Sequence, residues 1–180
     1  MRQVGKLGAL TILLGLYGCG GGEALYAPPP KAPKHRPAPR PSRAAVSEAT
    51  FVSVNGSIDL FVIKSSELAL QRSASPRVRD FAATMIQAHK GTSGQLSLAG
   101  RRLNLLPSAT LLPGDQAMLE ALRASSRFDA DYVRDQRMVH QKAIEIDSAY
   151  ATSGRSPTLR PVAKSALPIE QRHLRLLFAL

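Results

Sequence analysis

Three histidines carry the chemical interest of this sequence. His89, His140 and His173 each continue the apolar stripe of a different predicted helix. Imidazole is the commonest metal ligand among side chains, so three of them turned to one interior could hold a divalent transition metal. Glu170 precedes His173 by three residues, the spacing with which two-iron carboxylate bundles aim both side chains inward. Asp129, Tyr132, Gln136, His140 and Asp147 fall on roughly one face of another helix and would add a polar lining. The opposing reading gives each histidine a hydrogen-bond partner, such as Asp129 or Tyr132, and a role in specifying how the helices pack. A first shell for two metals would need more carboxylates than this interior offers. The expected function is therefore a module that binds or scaffolds, with a metal-binding or redox bundle built on His89, His140, Glu170 and His173 as the alternative.

Catalytic signatures are missing. Gly91-Thr92-Ser93-Gly94 is not the G-x-S-x-G elbow, and Lys90-Gly91-Thr92 lacks the glycine loop of a phosphate-binding motif. No residue is assigned a catalytic role, and no enzymatic activity is expected.

The elements that must position the histidines are helical. Phe51, Val54, Ile58, Phe61, Ser65 and Leu68 alternate by three and four, which predicts a first helix over 47–73. Ser75-Pro76 is a cap signal, and the stripe from Val78 through Met85 and His89 to Leu103 carries a second helix to about Asn104. A short helix is predicted from Gly114 to Ala124 after a proline-bounded connection. The stripe Phe128, Tyr132, Gln136, Val139, Ala143, Ile146, Tyr150 marks a long helix closed by Gly154. Ser156-Pro157 opens the last one, in which the interior Pro168 should cause a kink or a split. At about 1.5 Å per residue each histidine lies roughly 20–24 Å into its helix, so antiparallel neighbours can bring all three into one layer. The expectation for 46–180 is an all-α, four-helix bundle.

The rest of the chain reads as an export and anchoring device. The 180 residues carry a formal charge of +11, of which 46–180 hold 17 basic against 12 acidic side chains. Arg2 and Lys6 precede an apolar run from Leu7 to Tyr17, too short to span a bilayer and matching a signal peptide over 1–18. Leu16-Tyr17-Gly18-Cys19 resembles a lipobox, departing only at Tyr17, so the single cysteine, Cys19, is the expected lipidation site. One cysteine excludes an intramolecular disulfide. Gly20 in place of Asp after Cys19 favours the outer membrane by resemblance to sorting rules, which puts the domain in the periplasm. Residues 19–45 form a tether in which Pro28-Pro29-Pro30 to Pro41 favours polyproline II. Lys31, Lys34, Arg36, Arg40 and Arg43 could rest on an anionic envelope surface. Nucleic acid is a poor partner for an exported chain whose basic residues have no aromatic neighbours interleaved.

Glu67-Leu68-Ala69-Leu70 through Ser75-Pro76-Arg77-Val78-Arg79-Asp80-Phe81-Ala82, with Met85 and His89, is similar to the first half of the bacterial domain of unknown function numbered 4142. Phe128-Asp129-x-x-Tyr132, His140, Leu167-Pro168 and His173-Leu174 resemble its second half. The resemblance covers about 50–178 and implies a ferritin-like bundle, usually exported, with a polar interior at His89, Asp129, Tyr132, His140 and His173. The family often carries Glu where Val62 and Lys64 stand here, and an acid where Ala88 and Val139 stand. The resemblance thus implies a metal site that is depleted or lost.

Overall fold

The computed structural model describes residues 46–180. Cys19, the apolar run before it and the five basic residues of the proline-rich tether lie outside the described residues.

Each helix begins where its capping chemistry places it. Ser47 accepts the Thr50 N–H and starts α1, Glu48–Arg72. Ser75 accepts the Val78 N–H, and Pro76 follows at the first helical position, to start α2, Pro76–Arg101. The sequence predicts α2 to continue to Asn104, but the chain doubles back there. Asn104 takes a positive φ of 55° and the Leu105 N–H returns to the Gly100 carbonyl at 2.9 Å. A Cβ on residue 100 would meet the Leu105 carbonyl oxygen at 2.0 Å, so this turn requires glycine. The following segment crosses α1 closely enough that a Cβ on Gly56 would lie 2.7 Å from Pro107 Cβ. Two helices, α3, Pro113–Ala124, and α4, Phe128–Ser153, come next.

The last helix, α5, Arg160–Leu177, starts later than the Ser156-Pro157 signal implies. The Ser156 hydroxyl instead caps a turn by accepting the N–H groups of Thr158 and Leu159. Pro168 does not split α5, which runs through it unbroken. Pro168 and Lys164 are both exposed, so the carbonyl that loses its donor turns to solvent.

Neighbouring long helices are antiparallel: α1 against α2, α4 against α5, α1 against α4, and α2 against α5. This arrangement makes α2 and α4 parallel and diagonal, and the connection through α3 spans the length of the bundle between them, giving one long crossover. Two apolar clusters fill the interior. One contains Phe61, Phe81, Met85, Phe128 and Tyr132, and the other Phe51, Leu96, Tyr150 and Leu159. On α2 His89 with Thr92, and on α5 Glu170 with His173, fall between the two clusters, whereas on α1 Asp59 and on α4 His140 sit at the inner edge of the first, beside Ile58 and between Val139 and Ala143.

Candidate metal centre

The three histidines meet in that middle layer. Their ring centroids form a nearly equilateral triangle, 5.3 Å for His89–His140, 5.5 Å for His89–His173 and 5.4 Å for His140–His173. Glu170, one turn before His173 on α5, turns its carboxylate into the same space, and the four ligand atoms all lie within 4.8 Å of one another. Glu170 Oε1 stands 4.0 Å from His89 Nε2, and Oε2 stands 3.8 Å from His140 Nε2. These gaps are too wide for hydrogen bonds. Donors about 2.1 Å from one tetrahedral ion lie roughly 3.4 Å apart, so the four side chains would draw together on sharing an ion.

Hydrogen bonds on the far sides of the rings decide what faces inward. The His140 Nδ1–H donates to the Gln136 carbonyl at 2.7 Å, an acceptor that cannot give a proton back, so the neutral ring carries its lone pair on Nε2. His89 Nδ1 lies 2.8 Å from Asp59 Oδ1, which also accepts the Thr92 hydroxyl at 2.7 Å. With Asp59 ionised, His89 must be the Nδ1–H tautomer and presents Nε2, the carboxylate–histidine pairing that orients metal ligands. His89 Nε2, His140 Nε2, His173 Nδ1 and Glu170 Oε2 are all buried without a hydrogen-bond partner among the described residues.

Electrostatics follow from burial. Loss of water pulls His89 and His140 down to about 3 and His173 to about 4; His89 and His173 add to the depression of His140, and His89 and Arg172 to that of His173. The rings are therefore neutral and ready to ligate at physiological pH. The same loss pushes Asp59 and Asp147 up to about 7. Glu170 rises well above its ordinary value, through burial first and then through repulsion from Asp59 and Asp147.

Asp129 and Tyr132 do not join this cluster. They precede His140 on α4 by eleven and eight residues, which places them roughly 16 and 12 Å away along the axis. Tyr132 instead shares a 2.9 Å hydrogen bond with Ser66, and half-buried Asp129 borders a surface depression beside Arg72 and Phe128. Neither partners a histidine, contrary to the sequence-based expectation. Gln136 supplies its backbone carbonyl, while its side chain donates to Ser65.

The acid contributed by α1 is Asp59, at neither position 62 nor 64, and the single-stripe pattern of α1 misses it. A second buried stripe, Val52, Gly56, Asp59, Val62, Ser66 and Ala69, exists because α1 packs against α2, α3 and α4 at once. Its three- and four-residue spacing is the signal that would have placed Asp59 inside.

The chain matches the family model described as a domain of unknown function, DUF4142, over residues 32–180. No curated protein matches it. Among solved structures it resembles CopM in the Cu(II)-bound form, with a TM-score of 0.63, 17% identity, and coverage of 74% of this chain and 94% of that one. The Cu(I)-bound form of CopM gives a TM-score of 0.61, 17% identity, and coverage of 73% and 92%. A DUF305 fragment from Deinococcus radiodurans gives 0.63, 15% identity, and the same 73% and 92%. At these identities the likeness is one of fold. The family match spans most of the sequence, and the protein belongs to the DUF4142 family.

Proposed function

We propose that the bundle is a metal-binding module in which His89, His140, His173 and Glu170 hold one transition-metal ion. One observation carries this reading: four buried residues each offer a ligand atom within 4.8 Å of the others, each has a buried nitrogen or oxygen without a hydrogen-bond partner among the described residues, and partners behind His89 and His140 leave their inward nitrogens free. If the layer served packing alone, those four atoms would pay for desolvation with no return. Three imidazoles and one carboxylate, without thiolate or thioether, suit a borderline divalent ion, Cu2+ or Zn2+, better than Mg2+ or Ca2+. CopM, which shares the fold, has been solved with Cu(II) and with Cu(I) bound.

The test is titration of tag-free protein with Cu2+ and Zn2+, read by native mass spectrometry and calorimetry. One ion per chain is expected. His89→Gln, His140→Gln, His173→Gln and Glu170→Gln should each abolish tight binding, whereas Asp129→Asn should not. Folded protein that takes up neither ion would overturn the reading and leave a scaffold or binding role.

We further propose that this module works in the cell envelope, tethered by an acylated Cys19 to the outer membrane and facing the periplasm. The charged and apolar start of the chain, the lipobox-like Leu16-Tyr17-Gly18-Cys19 and the basic proline-rich spacer support that placement.

A further inference from the structure

Asp147 has no place among the four ligands, yet it is only 2% exposed and among the described residues keeps a single hydrogen bond, from Asn55 Nδ2 at 3.1 Å. Burying a carboxylate with so little compensation is costly, and none of Asp59, Asp147 and Glu170 pairs with a Lys or Arg among the described residues. The three surround one cavity of about 20 Å3, whose other polar walls are Asn55 and Thr92. That volume admits a single water-sized body. At its outer side stand the half-buried Asn55, Val162 and Ala166. Glu170 also lines it, 3% exposed, with Oε2 lacking any hydrogen-bond partner among the described residues. The carboxylate that borders this cavity is the one whose oxygens lie 4.0 and 3.8 Å from His89 and His140.

Carboxylate, amide and hydroxyl oxygens around a water-sized space suit a divalent cation that has exchanged its water for them. Three carboxylates without a compensating cation also make the local potential attractive to one. The other approach to the cluster is the depression between α2 and α5, where Ala88, Ile169, Leu176 and Arg172 surround His173. Its walls are mostly apolar, and Arg172 is the wrong sign for an incoming cation.

We propose that the cavity bounded by Asp59, Asp147 and Glu170 is an outer site where a divalent cation, its water exchanged for these oxygens, rests before Glu170 passes it to His89, His140 and His173. This rests on the metal-centre reading and supplies its route.

Uptake of Co2+ is the test, followed by stopped-flow visible absorption, because a tetrahedral nitrogen-rich centre absorbs strongly and an oxygen-bound octahedral ion only weakly. Asp147→Asn, of equal size, should slow both appearance and chelator-driven loss of the band at least tenfold and leave stoichiometry and equilibrium affinity unchanged. Asp147→Glu should keep uptake fast. Ala88→Phe, which fills the α2–α5 depression, should not alter the rate. Unchanged rates in Asp147→Asn, or slowing by Ala88→Phe instead, would overturn the route and leave the metal centre standing. No tetrahedral band in the unsubstituted protein would overturn both.

Discussion

Once ionised, above its raised value of about 7, Asp59 sets which nitrogen of His89 faces the cluster, because a carboxylate 2.8 Å from Nδ1 demands a proton there. Asp59→Asn keeps the size and weakens that demand, so metal affinity should fall about 10- to 100-fold, measured by competition with a chelator of known strength. An unchanged affinity would mean that the His89 tautomer is held by something else. The same layer makes a prediction about pH. His89 and His140 titrate at about 3 and His173 at about 4 in the folded protein, against about 6.5 in an unfolded chain. Between about pH 4 and 6.5 the unfolded state binds more protons at these rings, so their contribution to stability falls as pH drops. Asp59 and Asp147, raised to about 7, and Glu170, also raised, act in the opposite sense. The folded state keeps protons on them that the unfolded chain loses near pH 4, so their contribution falls as pH rises through the same window. The two sets oppose each other. Metal-free protein should therefore show a shallow dependence of melting temperature on pH from about 4 to 6.5, whereas Asp147→Asn should lose stability more visibly on acidification. Circular dichroism melts at half-unit pH steps would decide this, and a steep acid loss in the unsubstituted protein would contradict it.

Helix ends and connections present the layer at the right height. Arg72, at the last turn of α1, donates to the carbonyls of Leu122 at 3.1 Å, Arg123 at 2.6 Å and Ser125 at 2.8 Å. Its guanidinium also lies 4.6 Å from the Phe128 ring centre. One exposed side chain thus caps the end of α3 and fastens the start of α4, where the descent to His140 begins. Arg72→Ala should cost about 1–2 kcal/mol in urea denaturation. A loss within experimental error would show the contacts to be solvent-compensated. The α2 terminus is more demanding. Gly100→Ala places a methyl against the Leu105 carbonyl, an atom of the backbone rather than of a movable side chain. Opening that turn should destabilise by about 1–3 kcal/mol, as overpacking does elsewhere. Full stability in this variant would show that the turn has another low-energy form.

The whole molecule places a polar layer between two apolar clusters, so the bundle holds the site from both ends. Every apolar stripe read from the sequence lies in 46–180, and deletion of 20–45 should leave helical content and cooperative melting intact. A large loss of either would mean that the tether packs on the bundle. At the scale of the cell, Cys19→Ala should release the protein from the membrane fraction or leave it misprocessed. Unchanged membrane association, with no lipid on the original protein by mass spectrometry, would remove the anchor from the proposal.

Local chemistry was sufficient to determine the helices. Ser75 caps α2 where its side-chain oxygen predicts, α1 starts within a residue of the predicted 47, and three- and four-residue spacing identified the buried faces carrying His89, His140 and His173, because these signals act over a few residues. Where α2 stops was not legible, since that depends on the chain returning to Gly100. Pro168 reads locally as a breaker and is tolerated because its face of α5 meets solvent. Asp59 was invisible for a related reason: whether α1 has one buried face or two depends on how many helices pack on it. The convergence of the four ligand residues likewise belongs to the tertiary structure. Spacing along a helix sets a side chain's direction on its own axis, and only the packing of α1, α2, α4 and α5 against one another decides which directions meet.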